Sequence, residues 1–324
     1  MDTMSPAPWE IRLYSPAESE EWNDFVCRRA RNATFLFDRN YMDYHADRFA
    51  DHSMMAYRGG KLLALLPANI TPDGILHSHQ GLTYGGWVTS AAHFDANDMM
   101  DMWRVWLDVC RREGIKGVDY KPLPWIFARF PAQEDLYMLF RSGACLTESN
   151  LSSAVDLRDP RGFNTLQRRH LRQASRLGCE IRYSDDCAPF WEMLSLCLAE
   201  RHGASPVHTA AELRLLMERF PDNIRIAEAR LDDELVAGVC LYITGTAVHA
   251  QYIASTPRGR EANALALLFD RVMAEAARWG KRYFDFGTSN EDHGRYLNSG
   301  LLRQKASYGA SGVTFDRWAL TPGS

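Results

Sequence analysis

The sequence predicts an α/β (α+β) protein of two tandem domains, each a mixed, mostly antiparallel sheet flanked by helices. The 324 residues are enough for two domains of ordinary size. One order of elements, a hairpin followed by a further strand, a helix and a last strand, occurs at residues 53–122 and again at 223–286. In both copies the helix ends in a short glycine-lysine segment, within EGIKGVDYK and WGKRYFDFG. Two diverged copies of one α/β unit would leave such a pattern.

Composition and charge limit the class of protein. Hydrophobic residues at 46% and charged residues at 24% are typical of a folded globular chain, and a net charge of -4 argues against DNA as a partner. The seven scattered cysteines include no C-x-x-C pair, which favours a reducing compartment over a disulfide framework or a zinc site. The first 15 residues do not resemble a signal peptide, and no apolar run approaches the roughly 20 residues of a membrane span. We therefore expect a cytoplasmic protein without a transmembrane segment.

The first half of the chain shows a hairpin at residues 53–70, turning at Gly59-Gly60, and a helix at residues 98–113. Between them, His77 and His79 form an H-x-H pair, but no nearby cysteine or carboxylate completes a ligand set, so we predict no metal site. We expect both histidines on one polar face of a strand. The domain boundary is predicted near residue 155, giving domains 1–155 and 156–324.

A basic helix is predicted next, over residues 163–178, FNTLQRRHLRQASRLG. Arg168, Arg172 and Arg176 recur every four residues and so form one stripe along the helix. The segment contains no acid that could pair with them, although a solvated charged face is the usual explanation for such a run. Uncompensated arginines suit phosphate groups, which they bind with two parallel hydrogen bonds. We therefore predict a phosphate-bearing ligand at this stripe.

The second half continues with a strand at 180–183 and amphipathic helices at 189–201 and 210–220. A hairpin over residues 223–243 turns at Leu231-Asp232-Asp233-Glu234, and the next strand, AVHAQYIA, contains Tyr252. A helix at 263–279 and the aromatic strand Tyr283-Phe284-Asp285-Phe286 complete the order of elements. After Gly287 a polar loop begins, which is typical of a site on a loop held by a rigid sheet.

The segment FDFGTSNEDHGRYLNSGLLRQKASYGA resembles the C-terminal signature of the Fem-type branch of the GNAT acyltransferase superfamily. That branch includes peptidoglycan-bridge aminoacyltransferases and many acyltransferases predicted for polysaccharide synthesis. Its pattern is an aromatic-Asp-Phe-Gly strand end, a polar loop and a lysine-containing strand that ends near a glycine. The resemblance implies two tandem GNAT-like domains and transfer of an acyl or aminoacyl group to an amine.

The resemblance also implies a co-substrate, acyl-CoA or aminoacyl-tRNA, and no tightly bound cofactor. In acetyl-CoA-dependent relatives a Gln/Arg-x-x-Gly-x-Gly/Ala turn binds the pyrophosphate at a helix N-terminus. This chain has STPRGREAN at the corresponding place, where Arg258 and Gly259 are the candidate phosphate ligands but the spacing differs and Glu261 opposes an anion. That departure leaves the donor open between the two co-substrates.

Candidate site residues lie mainly in the C-terminal segment. Asp285 is the first candidate for binding or deprotonating the acceptor amine, and Lys305 for offsetting negative charge or holding a phosphate; a buried structural carboxylate and a solvent-exposed lysine are the alternatives. The predicted substrate contacts are Tyr252, Asn290, Glu291, Arg295 and Tyr296. No Ser-His-Asp set, P-loop or G-x-G-x-x-G is recognisable, which argues against an acyl-enzyme, nucleotide hydrolysis and NAD chemistry.

The expected acceptor is a small-molecule or lipid-linked amine, on an amino sugar or a peptidyl precursor of a cell-surface polymer. A tRNA partner and peripheral contact with a membrane are compatible with this expectation. The alternative is a non-catalytic GNAT-fold protein that binds a phosphate-bearing ligand.

Overall fold

The computed structural model describes residues 8–92, 94–202 and 206–323. Residues 1–7, part of the segment in which we predict no signal peptide, lie outside this description. The α-helices are α1 (Ser19–Asp24), α2 (Arg39–Met42), α3 (Ala96–Arg112), α4 (Glu134–Arg141), α5 (Thr165–Arg176), α6 (Ala188–His202), α7 (Ala210–Arg219), α8 (Pro257–Glu261), α9 (Ala264–Arg278) and α10 (Ser299–Ser307). None of the helices in the described ranges is both long and apolar enough for a membrane span.

The strands, in chain order, are β1 (Trp9–Leu13), β2 (Ala50–Asp51), β3 (Met54–Arg58), β4 (Lys61–Leu66), β5 (Asn69–Ile70), β6 (Ile75–His77), β7 (Val88–Thr89), β8 (Gly117–Tyr120), β9 (Cys145–Asp156), β10 (Glu180–Ser184), β11 (Ile224–Leu231), β12 (Glu234–Ile243), β13 (Ala247–Ser255), β14 (Tyr283–Thr288), β15 (Asn290–Glu291), β16 (Tyr296–Leu297) and β17 (Ser311–Leu320). Short 3-10 turns lie at Pro16–Glu18, Phe35–Phe37, Asp43–His45 and Trp125–Phe127, and a π-helical turn at Phe25–Arg29.

The chain divides into two compact units, Met1–Asn150 with Thr314–Ser324, and Leu151–Val313. This division differs from the predicted domains 1–155 and 156–324 in two respects. Strand β9 passes from the first unit into the second at residue 150, five residues before the predicted boundary. The end of β17 belongs to the first unit, because Trp318, Ala319 and Leu320 pair with β8.

The second unit contains one mixed sheet in the order β10-β11-β12-β13-β14-β9. Its neighbouring strands are antiparallel except β13 and β14, which are parallel. Side chains of β12 alternate between the faces: Val239 and Leu241 join the core with α5 and α9, whereas Gly238 packs against Phe190 of α6. Helices α5 and α9 therefore cover one face and α6 the other. The predicted mixed, mostly antiparallel sheet flanked by helices is confirmed.

In the first unit the strands are divided between two sheets, β1-β3-β4-β7 and β17-β8-β6-β5-β2. Strands β6 and β8 are parallel, as β13 and β14 are in the second unit. Helix α3 buries Trp103 and Trp106 against Trp87 and Tyr120. Each unit thus contains a parallel strand pair joined through a helix, which is the repeat predicted from the sequence.

Most predicted elements are present, and one is corrected. The hairpins at 53–70 and 223–243 form, the second through Asp232 and Asp233 at φ 51° and 63°, as a type I′ turn requires. The segment with Lys305, however, is helix α10 rather than a strand. The Asn298 side chain accepts a hydrogen bond from the Leu301 N–H at 3.0 Å, and the following residues Leu-Leu-Arg-Gln-Lys-Ala all favour helix.

Phe284 is the centre of the second unit's core and the site of a stability prediction. It is fully buried, and its ring packs edge-to-face against Phe269 and Phe286, with centroids 6.1 and 4.9 Å away. Phe284→Ala is expected to lower the free energy of unfolding by about 3–5 kcal/mol, because it removes an aromatic ring and leaves a cavity. Equilibrium urea unfolding measures this. Phe140→Ala, at a side chain 74% exposed, is the matched control and is expected to change stability by less than about 0.5 kcal/mol.

Candidate active site

Strands β13 and β14 run side by side only briefly and then separate. Ala247, Val248 and His249 pair with Tyr283, Phe284 and Asp285. Beyond His249, strand β13 contains a β-bulge: Leu241 of β12 faces Ala250 and Cys240 faces Tyr252, so Gln251 is the extra residue. A bulge bends its strand. The bend in β13 accounts for the gap that opens between it and β14.

A cavity of about 330 Å³ occupies this gap. Ile253, Ala254 and Ser255 of β13 form one wall and Phe286 of β14 another. The remaining lining residues come from helices on both faces of the sheet, from α10 and from the residue that follows α10: Leu194, Cys197, Leu198, Arg260, Leu265, Phe269, Leu301, Gln304, Lys305 and Tyr308. The lining is predominantly apolar, with a few polar groups at defined positions, as in small-molecule sites generally.

A smaller cavity of about 170 Å³ adjoins the first, since both are lined by Ser255, Arg260, Leu265, Gln304 and Tyr308. Gln167 and His170 of α5 complete it on one side. Arg260 is exposed, and its Nη1 donates to the Ser255 carbonyl at 2.7 Å. A cation thus lies where the two cavities meet, a position suited to a polar or anionic part of a ligand whose apolar part fills the larger cavity.

Lys305 is a buried cation in the cavity wall. It is 5% exposed, and its Nζ donates to the carbonyl oxygens of Gly287 and Thr288 at 2.8 and 2.7 Å. Burial lowers the pKa of Lys305 to about 8, although the negative charge of Asp285 acts in the opposite direction. The predicted residues Asp285 and Lys305 are therefore brought together, and the ammonium group lies beside the cavity.

Asp285 is fully buried at the last position at which β14 pairs with β13. One carboxylate oxygen lies 2.7 Å from Nδ1 of His249, and the other accepts a hydrogen bond from the Ser152 hydroxyl at 2.5 Å. The side chain of His249, by contrast, is 15% exposed. Asp285 therefore contacts other side chains of the site, and the imidazole is the part of this group that solvent reaches.

The loop after β14 contributes four predicted substrate contacts, which lie outside both cavity linings. Asn290 and Glu291 form β15, which pairs with β16 across Leu297 and Tyr296. The Asn290 side chain is engaged at both ends: its oxygen accepts from the Leu151 N–H at 2.6 Å and its nitrogen donates to the Gly294 carbonyl at 3.0 Å. Glu291, Arg295 and Tyr296 are exposed. These residues build a surface hairpin, and their contact with substrate stays a prediction.

Tyr252, the fifth predicted contact, lies in β13 outside the lining of both cavities. Its hydroxyl is 2.5 Å from Nδ1 of His208, and its ring packs edge-to-face against Trp191. Burial raises the pKa of Tyr252 to about 12. The phenol is thus held by side chains of the protein.

The arginine stripe of α5 faces away from the cavities. Each helical residue is rotated by about 100° from the one before. Relative to Gln167, which lines the smaller cavity, Arg168, Arg172 and Arg176 are rotated by about 100° to 180°. All three are exposed, whereas Gln167, His170, Leu171 and Ala174 face the core or the cavity. The predicted phosphate-binding stripe is therefore a surface separate from the cavity.

Arg258 and Gly259, the other predicted phosphate ligands, have structural contacts. Arg258 pairs with Asp232 at 2.5 Å and with Glu234. A side chain at Gly259 would meet the Val236 carbonyl oxygen at 2.0 Å, and its N–H donates to the Thr256 hydroxyl at 3.0 Å. Gly259 therefore allows α8 to lie against β12, and it also lines the smaller cavity. Within the described ranges, no cluster of three or more His, Cys, Asp or Glu side chains could hold a metal ion.

Two site residues were not predicted from the sequence, His249 and Arg260. The repeat contains a sequence signal for His249. Asp119 in GVDYK and Asp285 in YFDFG each follow the helix-ending glycine by five residues, so the two aspartates occupy equivalent positions. The parallel partner strands place His77 opposite Asp119 and His249 opposite Asp285. Aligning the two copies would have directed attention to both histidines.

Comparisons with known proteins show what this fold is similar to. Residues 165–295 match the family model described as an acetyltransferase (GNAT) domain. The whole fold is similar to that of FemX, with a TM-score of 0.68 and 13% identity over 95% of this chain and 96% of that one. It is also similar to L-PGS from Bacillus licheniformis, with a TM-score of 0.55 and 13% identity over 97% and 94% of the chains.

A third similar structure is the tandem GNAT protein from the clavulanic acid biosynthesis pathway, with a TM-score of 0.52 and 12% identity over 98% of this chain and 99% of that one. No curated protein sequence is significantly similar to this chain. At these identities the structural similarities concern the fold. Residues 165–295 are a GNAT domain, and the chain as a whole has the Fem-like, tandem form of the GNAT fold.

Proposed function

We propose that this protein is an acyltransferase that moves an acyl or aminoacyl group from acyl-CoA or aminoacyl-tRNA to an amine. The observation that carries the proposal is the apolar cavity between the separating strands β13 and β14 of the GNAT domain, with the Lys305 ammonium in its wall. The proposed acceptor is an amino sugar or a peptidyl precursor of a cell-surface polymer, free or linked to a lipid.

The cavity suits the donor's acyl group. Apolar side chains such as Leu194, Leu198 and Phe269 remove an aliphatic chain from water, which contributes about 0.8 kcal/mol per buried CH₂. Arg260, where the two cavities meet, suits the polar remainder of the donor. Among the two donors, this lining favours an acyl-CoA with an aliphatic chain.

Lys305 supplies electrostatic stabilisation in this proposal. Attack of an amine on a thioester or ester places negative charge on the carbonyl oxygen, and a fixed cation in a site that excludes water stabilises that charge. The two hydrogen bonds from Nζ to Gly287 and Thr288 fix the ammonium group in advance of the reaction. Orientation of donor and acceptor supplies the remaining acceleration, so no covalent acyl-enzyme is required.

The proposal is tested by incubating the protein with acyl-CoAs of increasing chain length or with charged tRNA, together with a panel of amino sugars and peptidyl amines. Mass spectrometry of the acceptor detects the transferred group. An amide that forms only with protein present supports the proposal. Tight donor binding without any transfer supports the alternative, a non-catalytic protein that binds a phosphate-bearing ligand.

The arginine stripe distinguishes the two donors. Because Arg168, Arg172 and Arg176 face away from the cavities, replacing all three with Ala is expected to leave the KM for acyl-CoA unchanged within about twofold. A tRNA extends far beyond the cavity, so a tRNA-borne donor that contacts the stripe would show a raised KM. The slope of the logarithm of its binding constant against the logarithm of the salt concentration would also become shallower, by up to about 0.7–0.9 for each lost phosphate contact. Measuring KM at several salt concentrations separates the two cases.

A further inference from the structure

The imidazole of His249 is held in one orientation by a buried carboxylate. Nδ1 lies 2.7 Å from Asp285, whose other oxygen is occupied by the Ser152 hydroxyl. An ionised carboxylate can only accept a hydrogen bond, so a neutral imidazole that pairs with it carries its proton on Nδ1 and its lone pair on Nε2. Since Asp285 is fully buried, its contact with the histidine is shielded from water. This arrangement positions one basic nitrogen.

The histidine lies next to the cavity wall. Gly287 has a φ of 77°, which favours glycine, and a side chain there would contact Cε1 of the His249 ring at 3.4 Å. The carbonyl of the same glycine accepts the hydrogen bond from Lys305, which lines the cavity. Gly287, which has no side chain, thus lies between the imidazole and the ammonium group. The His249 imidazole and the Lys305 ammonium group therefore lie on opposite sides of the point where β13 and β14 separate.

The first unit contains the same pair in the same register. His77 Nδ1 lies 2.7 Å from Asp119, and the two residues face each other on parallel strands, as His249 and Asp285 do. There, however, Arg317 donates to both oxygens of Asp119, from Nε at 2.6 Å and from Nη2. Burial alone would raise the pKa of Asp119, but the hydrogen bonds from Arg317 and His77 lower it to about 2.

The two pairs differ in whether a cation is hydrogen-bonded to the carboxylate. In the first unit Arg317 neutralises the negative charge of Asp119. That charge is therefore not available to stabilise a protonated imidazole. In the second unit the hydrogen-bond partners of the carboxylate are a neutral hydroxyl and the imidazole. The nearby Lys305 ammonium, whose pKa burial lowers and the charge of Asp285 raises, donates to the Gly287 and Thr288 carbonyls instead. An imidazole that gains a proton is therefore stabilised by Asp285, which is the requirement for a base.

We propose that His249 is the general base of the acyl transfer and that Asp285 is the residue that positions it; this inference rests on the proposed function. The acceptor nitrogen attacks the carbonyl carbon of the donor, a C–N bond forms, and the carbonyl electrons move to oxygen. The proton lost by the nitrogen passes to Nε2 of His249. The intermediate then collapses, the C–S bond of a thioester or the C–O bond of an ester breaks, and the imidazolium returns the proton to the departing sulfur or oxygen.

The test compares His249→Gln with His77→Gln under saturating donor. His249→Gln is expected to lower kcat by about 100-fold or more with donor binding unchanged, and His77→Gln to leave kcat within about twofold. His249→Ala provides a second readout: imidazole added to the medium is expected to restore part of its rate, which a purely structural role would not allow. A His249→Gln enzyme within about threefold of the wild-type kcat overturns the inference and leaves the acyltransferase proposal standing.

Asp285→Asn tests the positioning role. Because Asp285 acts through His249, the double variant His249→Ala, Asp285→Asn is expected to be no slower than His249→Ala alone. If the rate losses of the two single variants multiply in the double variant, the assignment is contradicted. Calorimetry on each variant measures whether donor binding is retained. Failure of the proposed function is recognised separately, because wild-type protein would then transfer no acyl group.

Discussion

Lys305→Met is expected to lower kcat by about 100-fold or more while donor binding changes little. Removing one preorganised donor from the site of developing negative charge has an effect of this size in other acyl-transfer enzymes. Methionine keeps the length and apolar volume of the side chain, so the change removes mainly the charge and the two hydrogen bonds to Gly287 and Thr288. Initial rates at saturating donor and acceptor measure the effect.

The pH dependence of the same variant provides an independent check. Because the pKa of Lys305 is about 8, the wild-type rate is expected to fall as the pH rises through 8 and the ammonium group loses its proton. Lys305→Met is expected to lack that decline. Between pH 8 and 10.5 the unfolded chain binds more protons at this lysine than the folded protein does, so Lys305 makes stability rise with pH in this range, and the variant should show a smaller rise.

Lys281→Met is the matched control for Lys305→Met. Lys281 lies in the same unit, is partly buried with a pKa lowered by burial, and donates from Nζ to the Thr244 carbonyl at 2.6 Å, but it lines neither cavity. Its replacement is expected to leave kcat within about twofold. Equal losses in the two variants would assign the effect of Lys305 to stability rather than to catalysis.

Leu198→Trp is expected to raise the donor KM by about 5- to 150-fold. Leu198 lines the cavity from α6, and an indole in its place occupies volume that the acyl chain would fill. Overpacking of this kind costs about 1–3 kcal/mol, and each 1.4 kcal/mol corresponds to a factor of ten in affinity. Rates measured against donor concentration, together with direct donor binding, report the change.

Leu196→Trp is the control on the same helix. Leu196 is 59% exposed and lies outside the cavity lining, so the added ring extends into solvent and the donor KM is expected to stay within about twofold. A donor KM unchanged by Leu198→Trp would place the acyl group elsewhere. An increase limited to long-chain donors would show that the chain, rather than the polar part of the donor, reaches this side chain.

The repeated order of elements was predictable because it depends on local signals. Gly59-Gly60 and Asp232-Asp233 turn hairpins through backbone conformations that these residues tolerate, and the apolar faces of α3 and α9 have helical spacing. The return of β17 to the first unit was not predictable, because a strand's partner is decided by long-range pairing. Nothing within residues 311–320 marks that choice.

Part of the site was predictable because it, too, depends on a local sequence signal. Asp285 and Lys305 stand in a distinctive segment, and the structure brings them together beside one cavity wall. His249 lies 36 residues before Asp285 and is an ordinary polar residue in its own strand, so within its own segment nothing marks it, and the pair is recognised from the parallel register with β14 or from comparing the two copies of the repeat. The direction of the arginine stripe likewise depends on which face of α5 packs against the sheet, which helical spacing alone does not determine.

Donor binding measured by native mass spectrometry is the most direct test of the central claim, that the cavity between β13 and β14 receives the acyl donor. Wild-type protein and the Leu198→Trp and Leu196→Trp variants would each be mixed with acetyl-CoA, longer acyl-CoAs and charged tRNA. We expect wild-type protein and Leu196→Trp to bind at least one of these donors and Leu198→Trp to lose that complex. Binding of none of them by wild-type protein, or equal binding by all three proteins, would contradict the claim.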